Sequence, residues 1–381
     1  MPPKDESLLQ SLQQLPLATQ EILRKHRFSP DGLVAQAEFS RTGGQSNVVE
    51  GELSALSPSD LAQIPEINSP EWSRLRERGE EALSEGRCAL SVLAGGMATR
   101  MGGVIKALVP ASQGRTFLEL RLAEQAHLKA RYGKAPPLWL MTSHSTHQGI
   151  EDFLGDRLNE PTLALFRQGL SVRLNPDRTL FLTKSGEPSL YAPGHGDYPD
   201  CIRQSGLLEP FVAEGGQYVM ATNLDNLGGG LDPVLVGMHL ESECAVTCEV
   251  VDKVGADRGG IPARLNGRPV ILEEFRLPSD FDPTGVSVFN VNTFAFAAPL
   301  LSKLEMQWTY FEVTKQVEER PAIQFERLIN EVTFHLDTQY LRVPREGVQS
   351  RFLPVKDQAE LNARQPDIDA LAAARGMITA P

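Results

Sequence analysis

The sequence predicts an α/β protein built around a mainly parallel sheet, and two observations carry this prediction. First, short apolar runs of strand length alternate with helical stretches from Cys88 onward, as in strand–helix–strand units. These runs are CALSVLA, PLWLMTS, QYVMATN and CAVTCEVV, which begin at Cys88, Pro137, Gln217 and Cys244. Second, glycine and polar residues follow the apolar runs. Because ligands of open α/β sheets bind at the carboxyl ends of strands, we expect the functional site at that edge.

Charge and composition exclude several classes of protein. The 381 residues include 49 acidic and 37 basic side chains, for a formal net charge of −12. This balance argues against non-specific nucleic-acid binding, which needs a basic surface. No apolar stretch approaches the ~20 residues of a membrane-spanning helix, and the first residues are too polar for a secretory signal. Four cysteines without a CxxC pair suit a reducing compartment, so we expect a cytoplasmic protein without nucleic-acid or membrane partners.

Three parts of the chain differ in character. Residues 1–85 combine leucines at helical spacing with polar loops and predict a helical region. Residues 86–355 contain the alternating strands and helices and predict the α/β core. Residues 356–381 predict a short C-terminal tail.

Local signals predict individual elements within these parts. Residues 71–84 have a charged amphipathic pattern and predict a helix, and Thr116 with Glu119 forms a capping box that begins another. The pair Asn266-Gly267 between two β-type runs predicts a tight hairpin. Residues 322–334 predict a further helix.

A glycine-rich segment, LAGGMATRMGG, follows the first apolar run. Glycines let the backbone approach a ligand, and successive amide N–H groups form a nest for anions. The segment matches neither the GxxxxGK[ST] phosphate loop nor the dinucleotide GxGxxG. Arg100 and Lys106 add two cations, and the combination favours a triphosphate. For such a loop alone, a tight turn with solvated charges is the alternative.

Acidic and amide side chains end the QYVMATN run. Asn223 is its last residue, and Asp225 and Asn226 follow. Mg²⁺ typically takes one or two carboxylates together with substrate phosphates. An Asx turn that closes the strand is the alternative for this segment alone. The two segments together favour a metal-assisted phosphate site.

Two further residues have weaker signals. His195 lies between Gly194 and Gly196, which leave both faces of its ring accessible, so we single it out among the seven histidines. Lys356 follows an apolar run and by itself is an ordinary surface lysine.

Nine short segments in chain order resemble the UTP–glucose-1-phosphate uridylyltransferase (UDP-glucose pyrophosphorylase) family of eukaryotic-type UDP-sugar pyrophosphorylases. They are LAGGMATRMG, MTS, FRQ, APGHGD, TNLDNLGGGLDP, EVVDK, ILEE, FNVN and RFLPVK. The resemblance runs from about Ala82 to Glu360. It implies a glycosyltransferase-A-like nucleotidyltransferase core with an N-terminal helical extension.

The resemblance also implies a role for each matching residue. The set that would bind the nucleotide is Leu93, Ala94, Gly95, Gly96, Gln168 and Gly194. The set that would bind the sugar phosphate is His195, Asn223, Glu273 and Asn290. The cations that would stabilise the reacting phosphates are Arg100, Lys106 and Lys356, and the ligand for Mg²⁺ would be Asp225.

The implied reaction converts UTP and α-D-glucose 1-phosphate into UDP-glucose and pyrophosphate. A relaxed UDP-sugar pyrophosphorylase and a UDP-N-acetylglucosamine enzyme are alternatives within the family, and the GHGD segment around His195 favours glucose. A catalytically silent nucleotide-sugar-binding protein is an alternative of another class. The missing GxGxxG disfavours a dinucleotide-dependent oxidoreductase.

The chain departs from the family pattern at three places. Ala98 stands where the family has a glycine, and no proline precedes Lys106. Ala98 tolerates a positive φ poorly, and we expect a local difference in the loop. The family's C-terminal β-helix is missing, from which we expect a monomer.

Overall fold

The computed structural model describes residues 4–43, 46–98, 101–255, 257 and 259–379. Its helices are α1 Lys4–Gln13, α2 Leu17–Lys25, α3 Pro30–Arg41, α4 Pro70–Ser84, α5 Phe117–Tyr132, α6 His147–Leu154, α7 Tyr198–Gln204, α8 Leu208–Ala213, α9 Pro233–Ser242, α10 Ala298–Leu301, α11 Gln358–Ala363 and α12 Gln365–Ala374.

Short strands alternate with these helices. They are β1 Leu53–Ala55, β2 Leu61–Gln63, β3 Cys88–Leu93, β4 Met97–Ala98, β5 Val104–Ile105, β6 Pro110–Ser112, β7 Arg115–Thr116, β8 Leu138–Thr142, β9 Leu163–Arg167, β10 Ser171–Val172, β11 Leu190–Tyr191, β12 Tyr218–Asn223, β13 Val246–Asp252, β14 Ile261–Leu265, β15 Arg268–Leu272, β16 Val288–Ala297, β17 Phe311–Val317, β18 Arg320–Glu326 and β19 Thr338–Arg342.

The centre of the fold is a mixed sheet in the order β2-β19-β13-β16-β12-β3-β8-β9. Its strands run parallel except β16, which is antiparallel to β12 and β13. The predicted α/β class with a mainly parallel sheet is confirmed. In the pairing of β3 with β12, Leu93 lies beside Asn223, so the two segments that leave these strands begin at the same level.

Helices cover both faces of this sheet. Leu90 and Val92 of β3 belong to the core that includes α5, whereas Ala89 belongs to the core on the other face, which includes residues of α7 and α8. A strand buried on both faces reads as a continuous apolar run, and the sequence shows this pattern in CALSVLA.

Several local predictions are confirmed. The hydroxyl of Thr116 accepts from the N–H of Glu119, and the Glu119 carboxylate accepts from the N–H of Thr116, so α5 begins with a capping box. The β14–β15 hairpin turns at Asn266 and Gly267, whose φ angles are +52° and +81°. A two-residue hairpin turn of type I′ requires positive φ at both positions.

The predicted helix at residues 322–334 is wrong. Residues 320–326 form β18, which pairs with β17, and a 3₁₀ turn occupies Ile329–Phe334. The strand is favoured because Ile323 also exchanges backbone hydrogen bonds with Leu174, a partner 149 positions away that local periodicity cannot reveal.

The two ends of the described chain are more integrated than the sequence predicts. Residues 1–85 include the expected helices, but β2 joins the central sheet by pairing with β19. Residues 356–381 include α11 and α12, and Ile368, Leu371 and Met377 are fully buried in the core beside α5.

Two general features accompany this fold. None of the helices in the described ranges is long and apolar enough to cross a membrane. The four cysteines are free thiols, of which Cys88, Cys201 and Cys248 are buried.

Helices α4 and α9 approach each other at two glycines. A Cβ on Gly79 would lie 1.8 Å from the carbonyl oxygen of Pro233, and a Cβ on Gly237 would lie 2.0 Å from that of Leu75. Helix α9 continues the segment that leaves β12, so this close packing also positions that segment.

We predict that Gly79→Ala lowers the free energy of unfolding by about 2 kcal/mol or more, because the methyl group overlaps the Pro233 carbonyl. The intrinsic helix preference of alanine, ~1 kcal/mol over glycine, acts in the opposite direction. Urea unfolding followed by circular dichroism measures the change. Glu77→Ala, on the exposed side of α4, is the control, and equal or greater stability of Gly79→Ala would refute the packing argument.

Candidate functional site

The first part of the site is the glycine loop, which we define as residues 94–96 directly after β3. The carbonyl of Ala94 accepts from the Thr146 hydroxyl at 3.0 Å, and that of Gly95 accepts from the Ser143 hydroxyl at 2.9 Å. The N–H of Ala94 donates to the carbonyl of Met141 at 2.8 Å. The end of β8 thus holds the loop, and two of the motifs found in the sequence lie together.

The departure at Ala98 is accommodated without strain. Ala98 lies in β4, which pairs with β5, and its φ is not positive. Gly102 and Gly103, with φ of +86° and +75°, lie in the turn between these strands. Arg100, predicted as a catalytic cation, lies outside the described residues.

Two further residues of the predicted nucleotide set, Gln168 and Gly194, lie against Gly95 of this loop or against each other. The Gln168 side-chain amide donates to the carbonyl of Gly194 at 2.6 Å. A Cβ on Gly95 would lie 3.1 Å from Gln168 Oε1. Gly194 has a φ of +101°, and a Cβ there would lie 2.6 Å from the Arg327 carbonyl oxygen, so this position requires glycine.

The backbone next to Gln168 is held by the N-terminal helices. His26, which follows α2, is buried, and its Nδ1 lies 2.7 Å from the carbonyl oxygen of Gln168. A carbonyl oxygen accepts, so Nδ1 carries the proton. Burial lowers the pKa of His26, which favours the neutral ring. His26 thus has a structural role, since it holds the backbone carbonyl of Gln168.

The central ion pair of the site joins the two segments that leave β3 and β12. Lys106 Nζ donates to Asp225 Oδ2 at 2.7 Å, and their side chains are only 18% and 15% exposed. The predicted phosphate-binding lysine and the predicted metal-binding carboxylate are therefore in direct contact. Each neutralises the other, and a bound phosphate or cation would compete for one member of the pair.

Buried arginines hold the acidic loop, which we define as residues 223–232. Arg121 Nη2 donates to the carbonyl of Asn226 at 2.6 Å, and Arg351 Nη1 donates to that of Gly230 at 2.8 Å. Arg351 also forms a buried ion pair with Glu249, whose Oε2 lies 3.0 Å from Nε. Sequence reasoning missed both arginines. The RFLPVK motif contains Arg351, but its burial depends on β13.

The segment before Lys356 is fixed to the same loop. The side chain of Asn226 accepts from the N–H of Leu353 at 2.9 Å and donates to the carbonyl of Arg351 at 3.0 Å. Lys356 itself is exposed, and its N–H donates to Glu360 at 2.6 Å. In the described ranges, no hydrogen bond or ion pair joins Lys356 to the Lys106–Asp225 pair.

The predicted sugar-binding residues form a polar cluster near the end of β12. Asn223 Oδ1 accepts from Asn292 Nδ2, and Asn290 Oδ1 accepts from the N–H of Asn292, both at 2.9 Å. Asn292 has a φ of +56°, a left-handed conformation that asparagine tolerates. The FNVN motif contains this residue, but only the structure shows that it joins Asn223 and Asn290.

Glu273 lies next to this cluster. It accepts from Asn330 Nδ2 at 3.2 Å, and burial raises its pKa. A Cβ on Gly260 would lie 2.9 Å from Glu273 Oε1, and the carbonyl of Gly260 accepts from the N–H of Asn290. Asn330 has no such signal in the sequence, because residues 322–334 predict a helix. Glu273 and Asn290 therefore flank the same glycine.

The ring of His195 is oriented by the backbone of the 3₁₀ turn at Ile329–Phe334. Its Nδ1 lies 3.1 Å from the N–H of Ile329, which donates to it. Nδ1 is thus the acceptor, and the neutral ring has its proton on Nε2. Burial lowers the pKa of His195 to about 4, so the ring is an uncharged donor at neutral pH.

We predict that His195 makes the protein less stable as the pH falls from 6.5 towards 4. In this window the unfolded chain binds a proton on the ring and the folded chain does not, so the free energy of unfolding decreases with falling pH. Urea titrations at several pH values should give a smaller slope for His195→Asn. His335→Asn, at an exposed position, controls for the loss of an imidazole, and an unchanged slope in His195→Asn would contradict the burial argument.

Solved structures define the class of this fold. The UDP-glucose phosphorylase of Trypanosoma brucei matches with a TM-score of 0.74 and 22% identity over 95% of this chain and 78% of its own. A UDP-N-acetylglucosamine pyrophosphorylase from Entamoeba histolytica matches with a TM-score of 0.72 and 18% identity over 84% and 88%. The protein thus has the fold of these UDP-sugar pyrophosphorylases.

The family follows from the sequence match. The model of the UTP–glucose-1-phosphate uridylyltransferase family matches residues 34–375, and the chain belongs to that family. A uridylyltransferase of Encephalitozoon cuniculi is 29% identical over 80% of this chain, and that of Saccharomyces cerevisiae is 27% identical over 77%. The chain spans 62% of the length of each of these two relatives.

Proposed function

We propose that the protein is a uridylyltransferase that forms UDP-glucose and pyrophosphate from UTP and α-D-glucose 1-phosphate. The observation that carries this proposal is the Lys106–Asp225 contact of 2.7 Å, which joins the two segments that follow the adjacent parallel strands β3 and β12. The glycine loop and Gln168 lie at the same edge. Membership of the uridylyltransferase family supports the same reaction.

This reaction needs positioning and charge stabilisation rather than a base. An oxygen of the sugar phosphate attacks the α-phosphorus of UTP in line, the bond from that phosphorus to the bridging oxygen breaks, and pyrophosphate leaves. The nucleophile is already anionic at neutral pH, so no proton has to be removed from it. Catalysis then consists of bringing two anions together and stabilising the transferred group. Lys106 supplies positive charge for this purpose at the centre of the site.

The donor set at Asp225 fits Mg²⁺ held jointly with substrate. No group of three or more metal-binding side chains occurs in the part of the chain that the structure describes, which does not suit a cage made by protein alone. One carboxylate together with substrate phosphates and water is a typical magnesium environment. Asp225 would hold the ion, which would supply charge stabilisation at the phosphates. With Asp225 engaged in this way, the ammonium group of Lys106 would be available to phosphate oxygens.

Buried amide groups support a sugar on the other side of the site. The side-chain oxygens of Asn292 and Asn330 are buried and have no hydrogen-bond donor among the described residues. A buried acceptor without a donor is unfavourable, and sugar hydroxyl groups are suitable donors. Asn223, Glu273 and Asn290 surround these two amides, and we assign the set to sugar hydroxyls. His195 would donate from Nε2 to the sugar phosphate.

The loop geometry also bears on the silent-binder alternative. That alternative is suggested by two departures from the family pattern, Ala98 and the missing proline before Lys106. Ala98 takes a strand conformation with no positive φ, and Lys106 contacts Asp225. We therefore favour the active enzyme.

A broad UDP-sugar or N-acetylglucosamine specificity remains the alternative within the family. The cytoplasmic location and the monomeric state remain predictions; free cysteines agree with the first.

The proposal predicts Mg²⁺-dependent pyrophosphate release from UTP, with glucose 1-phosphate preferred by about tenfold or more over galactose and N-acetylglucosamine 1-phosphates. Coupled detection of pyrophosphate measures the rates. Asp225→Asn, which keeps the size of the side chain, should lose this turnover. A preference for the N-acetyl sugar would overturn the glucose assignment, and UTP binding without release for any sugar would overturn the enzyme assignment.

Lys356→Ala should lower kcat by ~10²-fold or more with a modest change in KM for UTP, since it removes one charge contact from the transition state. Because the side chain of Lys356 is exposed, its truncation should leave the fold intact, and a lower kcat would not be due to misfolding. Lys303→Ala, at another exposed lysine, is the matched control. Near-normal turnover of Lys356→Ala would remove this residue from the proposed mechanism.

A further inference from the structure

A cavity away from the Lys106–Asp225 pair, which we call the rear cavity, lies where the acidic loop enters α9. Its volume is about 570 Å³, within the range of small-molecule sites. Its lining includes residues 231–235 together with parts of α4, α5 and α12, but neither Lys106 nor Asp225. The proposed reaction therefore does not account for it.

Much of the lining is apolar or aromatic. Trp72, Leu128 and Tyr132 contribute to the wall. Ile67 and Val348 also line the cavity and are 52% and 54% exposed, which is high for branched aliphatic side chains. A ligand with an apolar body would cover part of this surface.

One cation of the lining has, among the described residues, a single ion-pair partner and no hydrogen bond to it. Arg375 has a buried Nε without a hydrogen-bond partner in the described part of the chain, and its Nη1 lies 3.7 Å from Glu124 Oε1, beyond hydrogen-bond distance. The other two arginines that line the cavity are paired, Arg131 with Glu80 and Arg351 with Glu249. Leaving a buried guanidinium donor unsatisfied is unfavourable.

The acidic side chains beside Arg375 hydrogen-bond to other groups, although Oε1 of Glu124 faces Arg375 Nη1 at 3.7 Å. Glu124 accepts from Arg121 Nη1 at 2.7 Å, and Asp232 caps α9 by accepting from the N–H groups of Val234 and Leu235. Burial, together with the nearby charge of Arg351, lowers the pKa of Arg375 to about 10, so the group remains a cation at neutral pH. Its donors are available to an added anion.

We propose that the rear cavity binds a small organic anion, with a carboxylate or phosphate group on Arg375 and an apolar ring against Trp72 and Leu128. A guanidinium group binds either kind of anion through paired N–H donors. A Cβ on Gly230 would lie 2.6 Å from Arg375 Nη1, so the bound anion would lie directly behind the acidic loop.

The test titrates the full chain with phenyl phosphate and with benzoate, without UTP or sugar phosphate, by calorimetry. At least one should bind saturably with a Kd of ~1 mM or tighter. Benzyl alcohol has the ring without the charge, inorganic phosphate has the charge without the ring, and both should bind about tenfold more weakly. Absence of saturable binding by both ring anions would overturn the proposal.

Variants locate the binding. Arg375→Met should weaken it about tenfold, whereas Arg131→Met, at a paired arginine of the same cavity, should change it less than about threefold. If Arg375→Met does not fold, Val348→Trp at the exposed rim should weaken binding by obstructing the cavity, with the exposed Leu300→Trp as its control. Binding that is unaffected in the folded variants overturns the proposal.

The proposed active site could also bind phosphate, so Lys106→Ala is titrated in parallel. Binding lost in Lys106→Ala but retained in Arg375→Met would place the anion at the nucleotide site and overturn the rear-cavity assignment. The titrations involve no turnover, so failure of the proposed uridylyltransferase activity would leave their result interpretable.

Discussion

The burial of two guanidinium groups, those of Arg121 and Arg351, behind the acidic loop is the constraint on which the site depends. A buried charge is tolerated only with an opposite charge and satisfied hydrogen bonds. Arg351 meets this need through Glu249 and the carbonyl of Gly230. The two terminal nitrogens of Arg121 meet it through Glu124 and the carbonyl of Asn226, and its Nε has no hydrogen-bond partner among the described residues. Because backbone carbonyls are among the acceptors, satisfying the charges also fixes the loop that contains Asp225.

The order of strands brings this loop to the glycine loop. β3 and β12 are adjacent and parallel, and their last residues are in register. The segments that follow them therefore start side by side, and the Lys106–Asp225 pair forms across them. A site built on the ends of central strands and supported by buried ion pairs is more rigid than one on free loops. Chemistry that depends on positioning two anions benefits from such rigidity.

The sequence predicted what local chemistry determines. The capping box at Thr116, the Asn266-Gly267 turn and the buried strand before the glycine loop each have a short signature, and all three are confirmed. Residues after strand ends, such as Asp225, could be identified because parallel strands share an edge. Arg351 and Asn292 could not be assigned, because their partners lie on strands far away in the chain. The error at residues 322–334 has the same origin, since pairing with distant strands overrides local periodicity.

The position of β2 has a consequence for how the protein is made. Its residue Leu61 pairs with Tyr340, about 280 positions later, at the edge of the central sheet. At ribosomal rates of ~5–20 residues per second, this separation corresponds to roughly 15–60 s of synthesis. Until then β2 has no partner in the sheet, and β13, which pairs with the other side of β19, lacks this neighbour. The nascent chain therefore carries β2 as an unpaired strand, and later β13 as an open sheet edge, until β19 is made. In this state chaperone binding or misassociation competes with folding.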